Sequence, residues 1–139
     1  MSGSGDKTLS IWDMRTGLTV QTFYGHLNAV NDANFSISGH LIASCDSDGI
    51  LKVWDIRMVQ ELLQLDTGDA IAHQVCFDKT SKLAVVALGD GNAKFVNVDK
   101  GEIATTVHMH DDSVNGLIIN QDNSAIYTIG SDGNLKSWR

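Results

Sequence analysis

The chain has 139 residues, 17 acidic and 10 basic, for a formal net charge of −7. That balance argues against nucleic acid or an anionic membrane surface as the main partner, since both reward a basic face, and Lys52, Arg57 and Lys94 form no basic patch with interleaved aromatics. No apolar run approaches the roughly 20 residues that cross a bilayer, and the opening MSGSGDKTLS lacks the apolar stretch of a secretory signal, so a cytoplasmic setting is expected.

Proline is absent and glycine is plentiful at 13. Short runs of Val, Ile, Leu, Phe, Thr and Trp alternate with Gly, Asp, Asn and Ser, which is the punctuation of an all-β chain with tight turns. Residues 1–24 carry the first such runs, with a half-built sheet near 8–24. Strands are predicted next near 29–35, 41–45, 50–54 and 60–65, joined by turns at Ser38-Gly39 and Asp48-Gly49. Asp-Gly between alternating apolar runs is a hairpin signal, because glycine accepts positive φ at low cost. The same sequence of runs recurs over 67–108 and again over 109–139, where the segment 134–138 ends as a bare edge.

The recurrence has a fixed step of 42 residues. Trp12, Trp54 and Trp138 lie 42 and 84 apart, with Val96 at the vacant step. Asp6, Asp48, Asp90 and Asp132 precede these four positions by six residues each, and Gly49, Gly91 and Gly133 follow the last three aspartates. Val30, Ala72 and Val114 keep the step, as do Phe35, Phe77 and Ile119, and Gly17 and Gly101 are two steps apart. Four hairpin-linked strands per period make one small antiparallel sheet that cannot bury both faces alone, so successive copies must stack radially.

Within each period the residues GH (Gly25-His26) and IASCDSDGILKVWD, ending at Asp55, are followed two copies later by His110 and IYTIGSDGNLKSW, ending at Trp138, and preceded by GSGDKTLSIWD. These motifs resemble the WD40-repeat family, whose copies begin near GH and end at WD over about 40–45 residues. The resemblance implies a partial WD40 β-propeller: a truncated repeat over 1–24, a full one over 25–66, a degenerate one over 67–108 and one lacking its last strand over 109–139, about thirteen strands in all. It also implies a hydrogen-bonded chain within each well-formed blade, carried here by His26, Ser44, Asp48 and Trp54 and by His110, Thr128, Asp132 and Trp138. The third copy has Gly68, Val86 and Val96 at the His, hydroxyl and Trp positions, so packing alone must hold it and it is expected to be the least stable full copy. Ser2 stands at the hydroxyl position of the first copy, whose first two strands are expected to be missing. Three blades and a fraction point to the C-terminal portion of a larger propeller, or to a short product that pairs with a second chain or self-associates through open blade edges.

Catalytic and cofactor sites are not expected. His26 and His110 belong to the blade chain, and His108-x-His110 lacks the cysteine or carboxylate cluster a metal would need, although Asp111 and Asp112 follow. His40 and His73 read as surface residues, GSG (Gly3–Gly5) and GDG (Gly89–Gly91) as turns, and Cys45 and Cys76 as buried reduced thiols. The family resemblance implies a scaffold that docks other proteins through loops on a rigid ring. DKTLSIWD, TFYGH, Asn31-Asp32, IASCDSDGILKVWDIR and CFD (Cys76–Asp78) further resemble WD-repeat proteins of the axonemal central apparatus, implying assembly or motility of cilia and flagella with central-pair proteins as partners. A generic cytoplasmic adaptor in signalling or ubiquitin-ligase assemblies, and a truncated isoform without an independent fold, are the alternatives.

Overall fold

A computed structural model describes residues 1–139 as fourteen strands and no helix. The first sheet is β1 (Ser2–Gly3), β2 (Leu9–Trp12) and β3 (Thr19–Phe23). The second is β4 (Val30–Phe35), β5 (Leu41–Asp46), β6 (Ile50–Asp55) and β7 (Gln60–Asp66); the third is β8 (Ala72–Phe77), β9 (Leu83–Leu88), β10 (Asn92–Asn97) and β11 (Glu102–His108). The fourth has only β12 (Val114–Ile119), β13 (Ile126–Gly130) and β14 (Leu135–Trp138). Every pairing is antiparallel between consecutive strands. The sheets form an open arc of propeller blades. The first sheet departs from expectation in one respect: its second strand is not wholly missing, because Ser2 and Gly3 pair with Ser10 and Leu9 as β1.

The period is visible in the backbone irregularities as well as in the strands. Bulges fall between Val30 and Asp32, Ala72 and Gln74, and Val114 and Gly116, one period apart each time. A second series falls at Ile11/Trp12, Val53/Trp54 and Phe95/Val96. A bulge shifts which side chains face which way and increases the local twist, so each sheet is re-aimed at the same place and the stack stays regular.

The apolar side chains sit between sheets. Leu9 and Phe23 of the first sheet pack on Ile42 and Trp54 of the second. Ala43, Cys45, Leu51 and Val53 on the other face of the second sheet pack against Val75, Phe77, Ala84, Val86 and Val96 of the third. Val85, Ala87 and Ala93 then pack on Val114 and Leu117 of the fourth. Alternate residues of one strand thus serve different interfaces, as the two-residue side-chain period requires, and each large side chain removed from water contributes about 1.5–3 kcal/mol.

Polar contacts lock the same stack. The Asp32 carboxylate accepts the Val75 N–H at 3.1 Å, and one period later the Gln74 side-chain carbonyl accepts the Leu117 N–H at 2.7 Å. The Gly49 carbonyl accepts the Thr67 N–H at 2.9 Å, and the Gly91 carbonyl accepts the Met109 N–H at 2.9 Å. The third copy is secured on both sides. It has lost its His, hydroxyl and Trp, yet Ala84, Val85, Val86, Ala87 and Val96 are all fully buried.

Candidate functional site

In the second sheet the end of β5, the end of β6 and the loop before β4 bring four polar side chains into line. The Trp54 indole N–H donates to Ser44 Oγ at 2.9 Å, and Ser44 Oγ lies 2.7 Å from His26 Nε2. His26 Nδ1 lies 2.7 Å from Asp46 Oδ2. The donors run in one direction: indole to hydroxyl, hydroxyl to the unprotonated ring nitrogen, ring N–H to carboxylate. Trp54, Ser44, His26 and Asp46 are all buried, so each partner satisfies a group that would otherwise be costly. Burial pushes the His26 imidazole below its ordinary pKa of 6.5, against the opposing pull of Asp46, which keeps the ring neutral and the chain intact.

The carboxylate in this chain is Asp46, not the Asp48 that the repeat register indicates. In the other copies the in-register aspartate pins the N–H two residues ahead: Asp6 accepts from Thr8, Asp90 from Asn92 and Asp132 from Asn134. In the second copy Ile50 N–H goes to Asp46 instead, and Asp48 accepts the Asn28 side-chain amide at 2.9 Å. Position 46 corresponds to Gly130 in the fourth copy. A Cβ built at Gly130 would come within 2.6 Å of the His110 ring, so the imidazole occupies the space a side chain would fill there. Glycine at 130 therefore lets His110 reach Asp132, while aspartate at 46 itself accepts the N–H of His26.

The fourth copy holds a chain of its own. The Trp138 indole donates to Thr128 Oγ1 at 3.0 Å, His110 Nε2 lies 2.8 Å from Thr128 Oγ1, and His110 Nδ1 lies 3.0 Å from Asp132 Oδ1. Burial acts to raise the Asp132 carboxyl, but the Asn134 backbone, the His110 ring, the Asn134 side chain and the Asp111 N–H hold it down at about 2. In the first copy the Trp12 indole donates to Ser2 Oγ at 2.9 Å on an exposed face.

A lysine series completes the pattern and had a sequence signal of its own. Lys52, Lys94 and Lys136 keep the 42-residue step, two residues before each Trp position. The Lys94 ammonium donates to the Thr67 carbonyl, and Lys136 donates to Met109 at 2.8 Å, again one period apart. Lys52 turns instead to Glu61 at 2.8 Å and Gln64 at 2.6 Å. These cations are spent within the sheets, leaving the surface charge to the loops.

The two loop faces differ in charge. Antiparallel connectivity places the turns between second and third strands, and the loops between sheets, on one face; Asp48, Asp66, Asp69, Asp90, Asp111 and Asp112 are exposed there, with Lys7 as the exposed cation. The opposite face is mixed: Arg15, Arg57, Lys79, Lys82 and Lys100 are exposed there, beside the exposed Asp99 and Asp122. His108 bonds Asn92 at 3.1 Å and stands 3.7 Å from Asp111, so the two histidines of the HxH pair serve different contacts. Cys45 is buried and its thiol raised by burial first; burial, with Asp32 and Asp78, pushes Cys76 up to about 12. Neither thiol is a ready nucleophile.

The WD domain, G-beta repeat family model matches residues 17–55 and 101–139, more than half of the chain. The unmatched stretch between them holds the copy that lost His, hydroxyl and Trp. The chain is 29% identical over 148 residues to nuclear distribution protein PAC1 of Arthroderma otae, covering 99% of this chain and 32% of that protein. It is 27% identical over 154 residues to guanine nucleotide-binding protein subunit beta of Zea mays, covering 99% and 40%. It is 42% identical over 143 residues to apoptotic protease-activating factor 1 of Rattus norvegicus, covering 96% and 11%. The chain thus spans two fifths or less of the length of these relatives. With its 42-residue period, its repeated hydrogen-bonded chains and this match, the protein belongs to the WD40 repeat family.

Proposed function

We propose that this chain is a non-catalytic docking scaffold that works in the assembly or motility of the ciliary and flagellar axoneme, on its central apparatus. One observation carries the scaffold reading: the histidines, hydroxyls and carboxylates of the repeat motif bond one another inside the sheets. His26, Ser44 and Asp46 bond one another, as do His110, Thr128 and Asp132, and both thiols are raised by burial. What remains for a partner is an acidic loop face and a loop face of mixed charge on a stiff stack. The axonemal part rests on the likeness of DKTLSIWD, TFYGH and IASCDSDGILKVWDIR to the C-terminal propeller of sperm-associated antigen sixteen. Fractionation tests it: the protein is expected to stay with demembranated axonemes and to be lost from axonemes lacking the central pair. Full recovery in the soluble fraction would contradict it.

A second reading, a cytoplasmic signalling adaptor, is favoured by the similarity to guanine nucleotide-binding protein beta subunits over nearly the whole chain. Recovery in the soluble fraction bound to signalling proteins would support that reading.

A further inference from the structure

We infer that the turns of the second sheet on the loop face of mixed charge dock an acidic amphipathic helix of a partner protein, with Met58 and Val59 at the β6–β7 turn as the anchors. Such a site presupposes the docking-scaffold reading and narrows it to one surface. Three copies of this turn share a frame. The side chains of Asp13, Asp55 and Asn97 accept backbone N–H groups of the turn, and the turn passes through Gly17, Val59 and Gly101 with φ of +70°, +52° and +67°. Glycine adopts that conformation freely, whereas a side chain branched at Cβ is strained in it. The N–H groups of Gly17 and Gly101 donate to the Asp13 and Asn97 carbonyls at 2.8 Å, and no such bond forms at Val59. The fold returns little for the valine. A Cβ on Gly101 would meet Leu63 of the preceding sheet, but the residue in register with Leu63 beside Val59 is the polar Gln21. Val59 remains 46% exposed. A strained, exposed apolar residue that internal packing does not reward marks a contact made outside the chain.

The surroundings of Val59 are apolar where the other copies are polar. Met58, 66% exposed, stands in register with Thr16 and Lys100, and Ile37, 69% exposed, with Lys79 and Gln121. The two turns adjoin, since the Ile56 N–H donates to the His40 carbonyl at 3.0 Å. Leu62 is exposed close by, at the bulge of β7. The second sheet is covered on both faces, by the first sheet and the third, so the exposure of its turns belongs to the stack. Scattered apolar residues on a surface are ordinary, but a group of them marks an interaction site.

Charge and backbone decide the occupant. Arg57 sits at the tip of the turn, with Arg15 on the turn before it and Lys79 and Lys82 on the turn after it. Of the nearby carboxylates, Glu61 is turned to Lys52 at 2.8 Å, Asp55 caps its own turn, and Asp99 has Lys100 beside it. A partner bearing carboxylates is therefore drawn to this sector and repelled by the acidic face opposite. An added strand finds no row of free donors: the N–H groups of Arg57 and Met58 go to Asp55, and those of Gly39 and Leu41 go to Ser36. A helix arrives with its backbone bonds already made, and its apolar stripe can cover Ile37, Met58 and Val59 together.

The test is an NMR titration of the full chain with a synthetic amphipathic helix carrying leucine on one stripe and glutamate elsewhere, and with the same helix carrying lysine for glutamate. The glutamate helix is expected to shift the amides of Ile37 and of residues 57–62, to leave the acidic-face loop at 66–69 unmoved, and to bind more weakly as salt is raised. Installing the third copy's residues, Met58→Lys with Val59→Gly, is expected to weaken that binding about ten-fold or more while the rest of the spectrum stays in place. Val59→Gly alone should melt higher than the parent chain, because glycine relieves the turn. No binding of the glutamate helix, or equal binding of the lysine helix at the same amides, would overturn the proposal. So would a Val59→Gly chain that melts lower, since the fold itself would then hold the valine. Broadening of these amides with protein concentration alone would overturn it too, by showing that a second copy covers the turn. A lysine helix bound at the acidic face, with the glutamate helix bound nowhere, would remove this site and leave the docking-scaffold reading standing.

Discussion

At the scale of single residues, the chain from Trp54 to Asp46 divides the aspartates of one turn into a structural one and a surface one. Asp46→Asn removes a charged acceptor from a buried ring N–H and is expected to cost about 1.5–3 kcal/mol, while Asp48→Asn at an exposed site is expected to stay within about 0.5 kcal/mol. Urea denaturation of the two variants checks the assignment, and the opposite order would restore Asp48 to the network. Trp54→Phe keeps the ring packing against Phe23 but leaves Ser44 Oγ without its indole donor, for an expected loss of about 1–3 kcal/mol by the same measurement. The pH dependence follows from His26. Its folded pKa lies below 6.5, so between the two values the unfolded chain binds the extra proton. Stability from this group is complete above about pH 6.5 and falls as pH drops through 6.5 toward the folded value. Asp132 acts lower down: its contribution is full above 3.8 and is lost as pH falls through about 2. Urea midpoints at pH 7.5 and 5.5 should therefore differ, the lower pH being less stable; a higher midpoint at pH 5.5 would mean that His26 is stabilised by its charge.

At the scale of the element, the repeat turns show which glycines the stack requires. Gly49 and Gly91 adopt φ of +79° and +88°, and a Cβ on either would meet the next sheet's loop backbone at 2.6 Å or less. Gly133 has the same conformation, φ +80°, with nothing within 4 Å, and Lys7 holds this turn position in the first copy at φ +74°. Gly133→Ala should thus cost only the left-handed backbone penalty of about 1–2 kcal/mol, whereas Gly49→Ala should cost distinctly more because the second and third sheets must separate. Equal thermal shifts for the two variants would show that close approach of the loop adds nothing. Strand existence and register were legible in the sequence: the runs at 29–35, 41–45, 50–54 and 60–65 match β4 to β7 within two residues at each boundary. Val59 was not. It sits one period from Gly17 and Gly101 and takes φ +52° beside their +70° and +67°, because the turn geometry is set by the whole repeat rather than by the residue.

At the scale of the molecule, what the period revealed and what it hid have one cause. In-register positions identified His26, Ser44, Trp54, His110, Thr128, Asp132 and Trp138, all of which the fold brings together within hydrogen-bond distance. Asp46 escaped because a periodic reading favours the aspartate that recurs, and the acceptor is decided by the space that Gly130 leaves and Asp46 fills. The lysine series recurred openly, but its role depends on carbonyls one sheet away that only the stack supplies. The central claim is that each sheet is ordered by its neighbour, so that equivalent tryptophans differ only in what covers them. Hydrogen exchange of the three indole N–H groups by NMR tests this directly. Trp54, enclosed between two sheets, should exchange slowest and the exposed Trp12 fastest, with Trp138 between. Trp54 exchanging as fast as Trp12 under the same conditions would contradict the stacked order.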